Sequence, residues 1–80
     1  MTPIWYRLMR RLKDIGGFAP NMQSLLYDAG VDGCHGRRAL NDLADKKLIA
    51  LGPGGRWSRP VQLIENNPEV WIQSIYGGEQ

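Results

Sequence analysis

Two short helical segments separated by a tight turn constrain this 80-residue chain more than any other feature of its sequence. The first follows a capping residue, Asn21, carries apolar residues at helical spacing and stops at Gly30, which suits a left-handed C-terminal turn. The second covers residues 32–47 and places Leu40 and Leu43 on one buried face. The pattern predicts a helix, a turn and a second, continuous helix.

A glycine-rich hairpin signal follows the second helix directly. Residues 48–51 and 56–64 have the composition of strands, and Gly52-Pro53-Gly54-Gly55 lies between them as a turn. Pro60 has no N–H to donate and therefore confines its part of the second strand to an edge or a bulge. The sequence predicts a small two-stranded β-hairpin with a loose tip.

One more helix is predicted on each side of this region. Thr2 can cap an amphipathic helix that begins at Pro3 and ends at Gly16, with arginines on its outer face. Residues 67–77 begin with an Asn-Pro-Glu helix start and carry a strongly apolar stripe. This stripe packs either back on the first helix or against a second copy of the chain; it consists of Trp71, Ile72, Ile75 and Tyr76.

Length and cysteine content predict one small domain over residues 1–80 in a reducing environment. A chain of this size buries only roughly 60% of its unfolded surface. Cys34 is the single cysteine, so no intramolecular disulfide can form. Since the chain has neither a secretory signal nor a run of about 20 apolar residues, we expect a cytoplasmic protein without a membrane association.

The charge is unevenly distributed along the chain. Residues 1–59 hold all ten Lys and Arg against five Asp, a net charge of +5, whereas residues 60–80 carry −3. A basic body with a mildly acidic tail is compatible with a polyanionic partner.

No set of residues in the sequence supports catalysis, a metal or a nucleotide cofactor. Zinc needs about four ligands, and the chain offers Cys34, His35 and scattered carboxylates. Cys34 has no base held by a third group around it. Gly52-Pro53-Gly54-Gly55 lacks the Lys-Ser/Thr ending of a phosphate-binding loop. We therefore predict a protein that is not an enzyme and needs no cofactor.

Three helices followed by a hairpin, over residues 3–64, resemble the winged helix-turn-helix family. The similarity is greatest to the LexA-like DNA-binding domains of small prokaryotic or phage regulators, and its most family-like segment is residues 40–49, LNDLADKKLI. The resemblance implies an α+β, mostly helical fold with a two-stranded wing and a short C-terminal helix. It also implies a non-enzymatic regulator or accessory factor that binds double-stranded DNA.

In this family the third helix enters the major groove and the wing lies on the DNA backbone, which gives each candidate residue a role. The predicted base contacts are Arg37, Arg38 and Asn41, with His35 at the leading end of the helix. The predicted phosphate contacts are Arg56 and Arg59 on the wing, and Gln23 and Ser24 with the free N–H groups at the start of the second helix.

Several of these residues have a plainer alternative. Gln23 and Ser24 can simply belong to an ordinary capped helix start. Arg37 and Arg38 can pair with Asp42 or Asp45 across one helical turn and merely solvate the surface. Trp57 is expected to cover the core, because large aromatic side chains are mostly buried.

The whole chain also has a second interpretation. It is a protein-binding winged helix, such as an adaptor or a phage inhibitor of a host machine, in which Trp5, Trp57 or the Trp71 stripe is the contact surface. A homodimer through the C-terminal stripe instead suits a DNA-binding protein, since symmetric dimers match palindromic sites.

Overall fold

Four α-helices and one three-stranded antiparallel sheet form residues 2–77, the part of the chain that this computed structural model describes. In chain order they are α1 (Ile4–Asp14), β1 (Phe18–Ala19), α2 (Met22–Ala29), α3 (Gly33–Asp45), β2 (Ile49–Leu51), β3 (Val61–Leu63) and α4 (Pro68–Ile72), which continues as a π-helical turn over Gln73–Gly77. The predicted α+β, winged helix-like fold is confirmed. None of the described helices is long and apolar enough to cross a membrane.

The caps predicted for the two central helices are confirmed. The side-chain oxygen of Asn21 accepts a hydrogen bond of 2.7 Å from the backbone N–H of Ser24, and Gly30 ends α2 in the left-handed conformation with φ of 67°. Asp32 accepts a hydrogen bond of 3.2 Å from the backbone N–H of His35 at the start of α3. These local bonds satisfy N–H groups that a helix start leaves without partners.

The first helix begins later than the sequence predicts. Pro3 has an extended backbone, with φ of −63° and ψ of 154°, and is itself the N-terminal capping residue, without a side-chain cap. Its carbonyl accepts the first helical hydrogen bond, from the N–H of Arg7 at 3.1 Å. The predicted capping role of Thr2 is therefore wrong.

The sheet differs from the predicted hairpin in both the number and the length of its strands. β1 adds a third strand at one edge and pairs with β3, so the strand order is β1-β3-β2. The second hairpin strand covers only Val61–Leu63 instead of residues 56–64, because residues 56–58 form a turn. The hairpin closes where the N–H of Gly52 donates to the carbonyl of Pro60 at 2.9 Å.

The core lies between the helices and the inner face of the sheet. It buries side chains from every helix and every strand, and the described residues include no buried polar side chain. The buried apolar residues are Leu8, Met9, Leu12, Ala19, Met22, Leu25, Leu26, Leu40, Leu43, Leu48, Ile49, Val61, Leu63 and Trp71.

The C-terminal helix packs back on its own chain. Trp71 is 0% exposed, its indole N–H donates to the carbonyl of Glu65, and its ring lies edge-on to Tyr6 at 6.0 Å between centroids. The hydroxyl of Tyr76 accepts a hydrogen bond from the indole N–H of Trp5 at 3.2 Å. Trp71 is thus unavailable as a dimer contact, and this part of the predicted dimer surface is wrong. Ile72, the next residue of the helix, is exposed.

A glycine of α3 packs closely against α2 and the turn that follows it. Gly36 is buried in the first half of α3, and a Cβ atom there would lie 2.9 Å from Cγ1 of Val31 and closer still to Cδ2 of Leu26. Such separations are shorter than real Cβ contacts. The bare backbone of Gly36 is therefore what lets the two helices of the motif pack together.

Replacing Gly36 with leucine is expected to destabilise the fold. Extra methylenes in a packed contact force neighbouring side chains off their rotamers and cost about 1–3 kcal/mol. Urea unfolding followed by circular dichroism measures this loss. Cys34→Leu places the same side chain on the exposed face of the same helix and should change the free energy of unfolding by less than about 0.5 kcal/mol. Equal effects of the two changes would contradict the close contact at Gly36.

Candidate nucleic-acid interface

The outer face of α3 presents two of the predicted base contacts. α3 is one continuous helix over Gly33–Asp45, with Leu40 and Leu43 buried. Arg38 and Asn41 lie three residues apart on the opposite, exposed side, and neither side chain has a partner within residues 2–77. A guanidinium and a carboxamide therefore stand side by side in solvent, with their hydrogen-bonding groups free.

Arg37 points in a different direction from Arg38. Successive helix residues are separated by about 100° around the axis, and Arg37 is accordingly turned toward the hairpin. It is half-buried, and the central carbon of its guanidinium lies 5.6 Å from the centre of the Trp57 ring. The structure thus separates the two arginines, one over the wing and the other on the open face.

The ion pairs that the plainer alternative predicts for these arginines are absent from the described part of the chain. Asp42 pairs instead with Lys46, at 3.9 Å between the amine nitrogen and the carboxylate oxygen. Neither Arg37 nor Arg38 forms an ion pair with Asp42 or Asp45. The two carboxylates nevertheless remain on the exposed part of α3, where they weaken the positive potential of this surface.

The hairpin tip, which we call the wing (residues 52–60), packs against the first turns of α2 and α3. The Trp57 ring lies 3.3 Å from the position that a Cβ atom of Gly33 would occupy. The backbone carbonyl of Trp57 accepts a hydrogen bond of 3.1 Å from the N–H of Gln23. Trp57 is half-buried against the core cluster, as predicted. It joins the wing to both helices of the motif.

The two wing arginines have different surroundings. Nε of Arg59 donates to the carbonyl of Gly52 at 2.9 Å and the side chain is half-buried, so this residue holds the hairpin closed. The predicted phosphate contact of Arg59 would therefore have to use the other two nitrogens of its guanidinium. Arg56 is exposed and has no partner among residues 2–77, which leaves its full charge available.

The start of α2 is not an open anion site. The backbone N–H of Gln23 is bonded to the wing carbonyl of Trp57, and that of Ser24 is bonded to the side chain of Asn21. The predicted free N–H groups at these two residues are therefore wrong. The side chains of Gln23 and Ser24 are both exposed and remain candidates for phosphate contact.

The basic residues of α1 serve internal contacts. Arg7 donates to the carbonyl of Gly30 at 3.3 Å, where it neutralises the C-terminal end of α2. Lys13 donates to the carbonyl of Asn66 at 2.9 Å, and Arg11 lies 3.8 Å from Asp28. These side chains connect α1 to its neighbours.

His35 is bound to the cap of its own helix. Its Nδ1 lies 3.0 Å from the Asp32 carboxylate, which also accepts the backbone N–H of His35. The backbone hydrogen bond from His35, aided by its side chain, holds the pKa of the Asp32 carboxyl below its usual value. As a base contact, His35 would have to release or share this bond.

The lowered pKa of Asp32 predicts a pH-dependent contribution to stability. A group with a depressed pKa stabilises the fold above its unfolded value, near 3.8, and loses that contribution as the pH falls through the folded value. Asp32→Asn keeps a capping oxygen that does not titrate. The stability of the native chain relative to D32N should therefore be constant from pH 7 to 5 and decline below about pH 4. The free energies of unfolding of the native chain and D32N are compared by urea unfolding at each pH. A difference that stays the same at every pH would contradict this prediction.

The side of α3 next to α1 lines an open pocket of about 360 Å³. Its walls are apolar apart from the polar side chains that α3 contributes at the rim, among them Arg38. The sequence did not predict this pocket, because its walls come from three separate helical segments. It is lined by Ile4, Trp5, His35, Arg38, Ala39, Asp42, Leu43, Lys46 and Ile75.

Within residues 2–77 no group of three metal-ligating side chains is brought together.

Comparison with known proteins identifies the fold. No protein-family model matches the chain, and no curated protein sequence matches it. Its structure is similar to that of BpsR from Bordetella bronchiseptica, a protein whose DNA binding is regulated by 6-hydroxynicotinic acid. The TM-score is 0.69 at 21% sequence identity, over 100% of this chain and 68% of BpsR. At this identity the two proteins share a fold.

Proposed function

We propose that this protein is a non-enzymatic regulator or accessory factor that binds duplex DNA, with α3 in the major groove and the wing on the backbone. The observation that carries the proposal is the pair Arg38 and Asn41, which are exposed on the outer face of α3 and have no partner among residues 2–77. An arginine reads guanine through two parallel hydrogen bonds, and an asparagine reads adenine in the same way. We place the protein in the cytoplasm of a prokaryote or in a phage-infected cell.

The surrounding charges supply the sequence-independent part of this binding. Arg56 on the wing is exposed and unpaired among the described residues, and Gln23 and Ser24 present polar side chains at the start of α2. Phosphate contacts of this kind fix the orientation of a protein on the duplex without reading its sequence. The similarity to BpsR supports the proposal, because BpsR is a DNA-binding protein with this fold.

The deciding experiment is a titration of labelled random-sequence duplex at 50 mM and at 150 mM salt, followed by anisotropy. A DNA-binding protein should bind at low salt and lose affinity as the salt rises, with a slope of about one unit per phosphate contact. Arg56→Ala should lower that slope by about one. No binding at either salt would remove the DNA proposal.

A protein-binding winged helix is the second candidate, and the outer face of the sheet favours it. Phe18, Gln62 and Ala50 form one exposed row across the three strands, and Phe18 remains 52% exposed. Ile64, just beyond β3, is 55% exposed. An uncharged, apolar face of this kind is typical of protein contacts. Phe18→Ser should leave duplex binding unchanged if DNA is the partner of the chain.

A further inference from the structure

We propose that Trp57 is a positioning residue for DNA recognition, one that holds the Arg37 guanidinium against its ring and aligns the wing with α3. This inference rests on the proposed function and extends it to a residue that need not touch DNA. It follows from three contacts of one wing residue, with Gly33, Arg37 and Gln23.

The ring of Trp57 lies along one face of α3. Gly33 and Arg37 are four residues apart and therefore share a helix face. Without a side chain, Gly33 lets the ring come within 3.3 Å of the position that a Cβ atom would take. The same ring then lies 5.6 Å from the Arg37 guanidinium carbon, within the range of a cation–π contact. Gly33 thus provides the space and Arg37 the charge.

Arg37 lies over the Trp57 ring without using its N–H donors in a hydrogen bond to any of residues 2–77. Attraction to an aromatic ring uses the flat face of the group, whereas its N–H donors lie in the plane. Arg37 has no hydrogen-bond or ion-pair partner within residues 2–77. Its donors therefore remain available to a base edge or a phosphate while the ring restricts its rotamers. A side chain ordered before binding loses less entropy when it binds.

Trp57 also fixes the wing relative to the motif. Its carbonyl accepts the N–H of Gln23 at 3.1 Å, so the first turn of α2 is bonded to the same residue whose ring covers the first turn of α3. Arg56 precedes it in the chain and is exposed. Trp57 therefore fixes the position of Arg56 relative to the N-terminal end of α3.

A graded series of substitutions tests this role. Duplex affinity is measured for Trp57→Tyr, Trp57→Phe and Trp57→Leu on a site selected from random duplex. Because cation–π attraction is strongest for tryptophan, affinity should fall stepwise, from about twofold for tyrosine to about tenfold for leucine. In an Arg37→Gln background the differences in affinity among the Trp57 variants should disappear, since glutamine has no positive charge for the ring to attract. In an Arg38→Gln background it should persist, because Arg38 does not lie over this ring.

The outcomes separate the inference from the proposed function. Native protein that binds no duplex would remove the proposed function and this inference with it. A second outcome would overturn the inference alone. The native protein would bind duplex, and the Trp57 substitutions would lower affinity by the same factors with Arg37→Gln as with native Arg37. Trp57 would then act only through general packing. Thermal melts show which variants are folded at the assay temperature. If Trp57→Leu is unfolded, the tyrosine and phenylalanine members carry the same comparison.

The contact itself is measured without DNA. The ring current of Trp57 should move the Arg37 Nε–H resonance upfield in the free native protein. The displacement should survive Trp57→Tyr and vanish in Trp57→Leu. An unshifted resonance in the native protein would overturn the inference whatever the affinities show.

Discussion

Replacing Trp71 with alanine is expected to lower the free energy of unfolding by about 3–5 kcal/mol, the usual cost of removing a large buried aromatic side chain. Trp71 is 0% exposed, donates its indole N–H to Glu65 and lies edge-on to Tyr6. A domain of this size is stable by roughly 4–12 kcal/mol. We therefore expect Trp71→Ala to remove about a quarter or more of this stability, as measured by urea denaturation with circular dichroism.

The matched control for this change lies on the same helix. Ile72 is 46% exposed on the outer side, and Ile72→Ala should cost less than about 1 kcal/mol. Both measurements are repeated over a hundredfold range of protein concentration. If Trp71 instead stabilised a dimer, the loss of stability caused by Trp71→Ala would change with protein concentration. A small, concentration-dependent loss would contradict the packing of the C-terminal helix on α1.

The second large effect is expected for the double change of Arg37 and Arg38 to alanine. An arginine that reads guanine contributes about 1–3 kcal/mol at its preferred site, so the double variant should lose both affinity and sequence preference. Competition between a selected site and random duplex measures both quantities. The binding that remains should come from Arg56 and the other phosphate contacts, and should show only the sequence preference that Asn41 supplies.

The control for charge is Arg10→Ala with Arg11→Ala, which removes two arginines from α1. Arg10 and Arg11 pair with Asp14 and Asp28, each at 3.8 Å, and lie on a surface that we do not assign to DNA. This variant should keep its sequence preference and weaken only slightly through the overall charge. Equal losses in both double variants would show that net charge, and not α3, determines binding.

The sequence predicted those features that local chemistry determines. The caps at Asn21 and Asp32, the left-handed Gly30 and the continuous α3 each depend on residues within four positions of one another. Local signals of this kind are readable without the tertiary structure. They were sufficient to predict a winged helix-like fold and the exposed placement of Arg38 and Asn41.

The features that sequence analysis missed depend on contacts distant in the chain. β1 has only two residues, too few for an alternating pattern, and exists because Ala19 pairs with Val61. Trp57 meets Arg37 across 20 positions, so no local pattern could assign that arginine to the wing. The apolar stripe of the last helix fits the chain's own core as well as a second copy, and only the burial of Trp71 distinguishes the two.

The close approach at Gly36 limits how new binding specificities can be introduced into this scaffold. A transplanted α3 segment that carries a side chain at position 36 would collide with the side chains of Leu26 and Val31. Libraries that vary the exposed positions 34, 38 and 41 keep the supporting geometry intact. Engineering of altered target preference should therefore randomise the outer face of the helix and hold residue 36 constant.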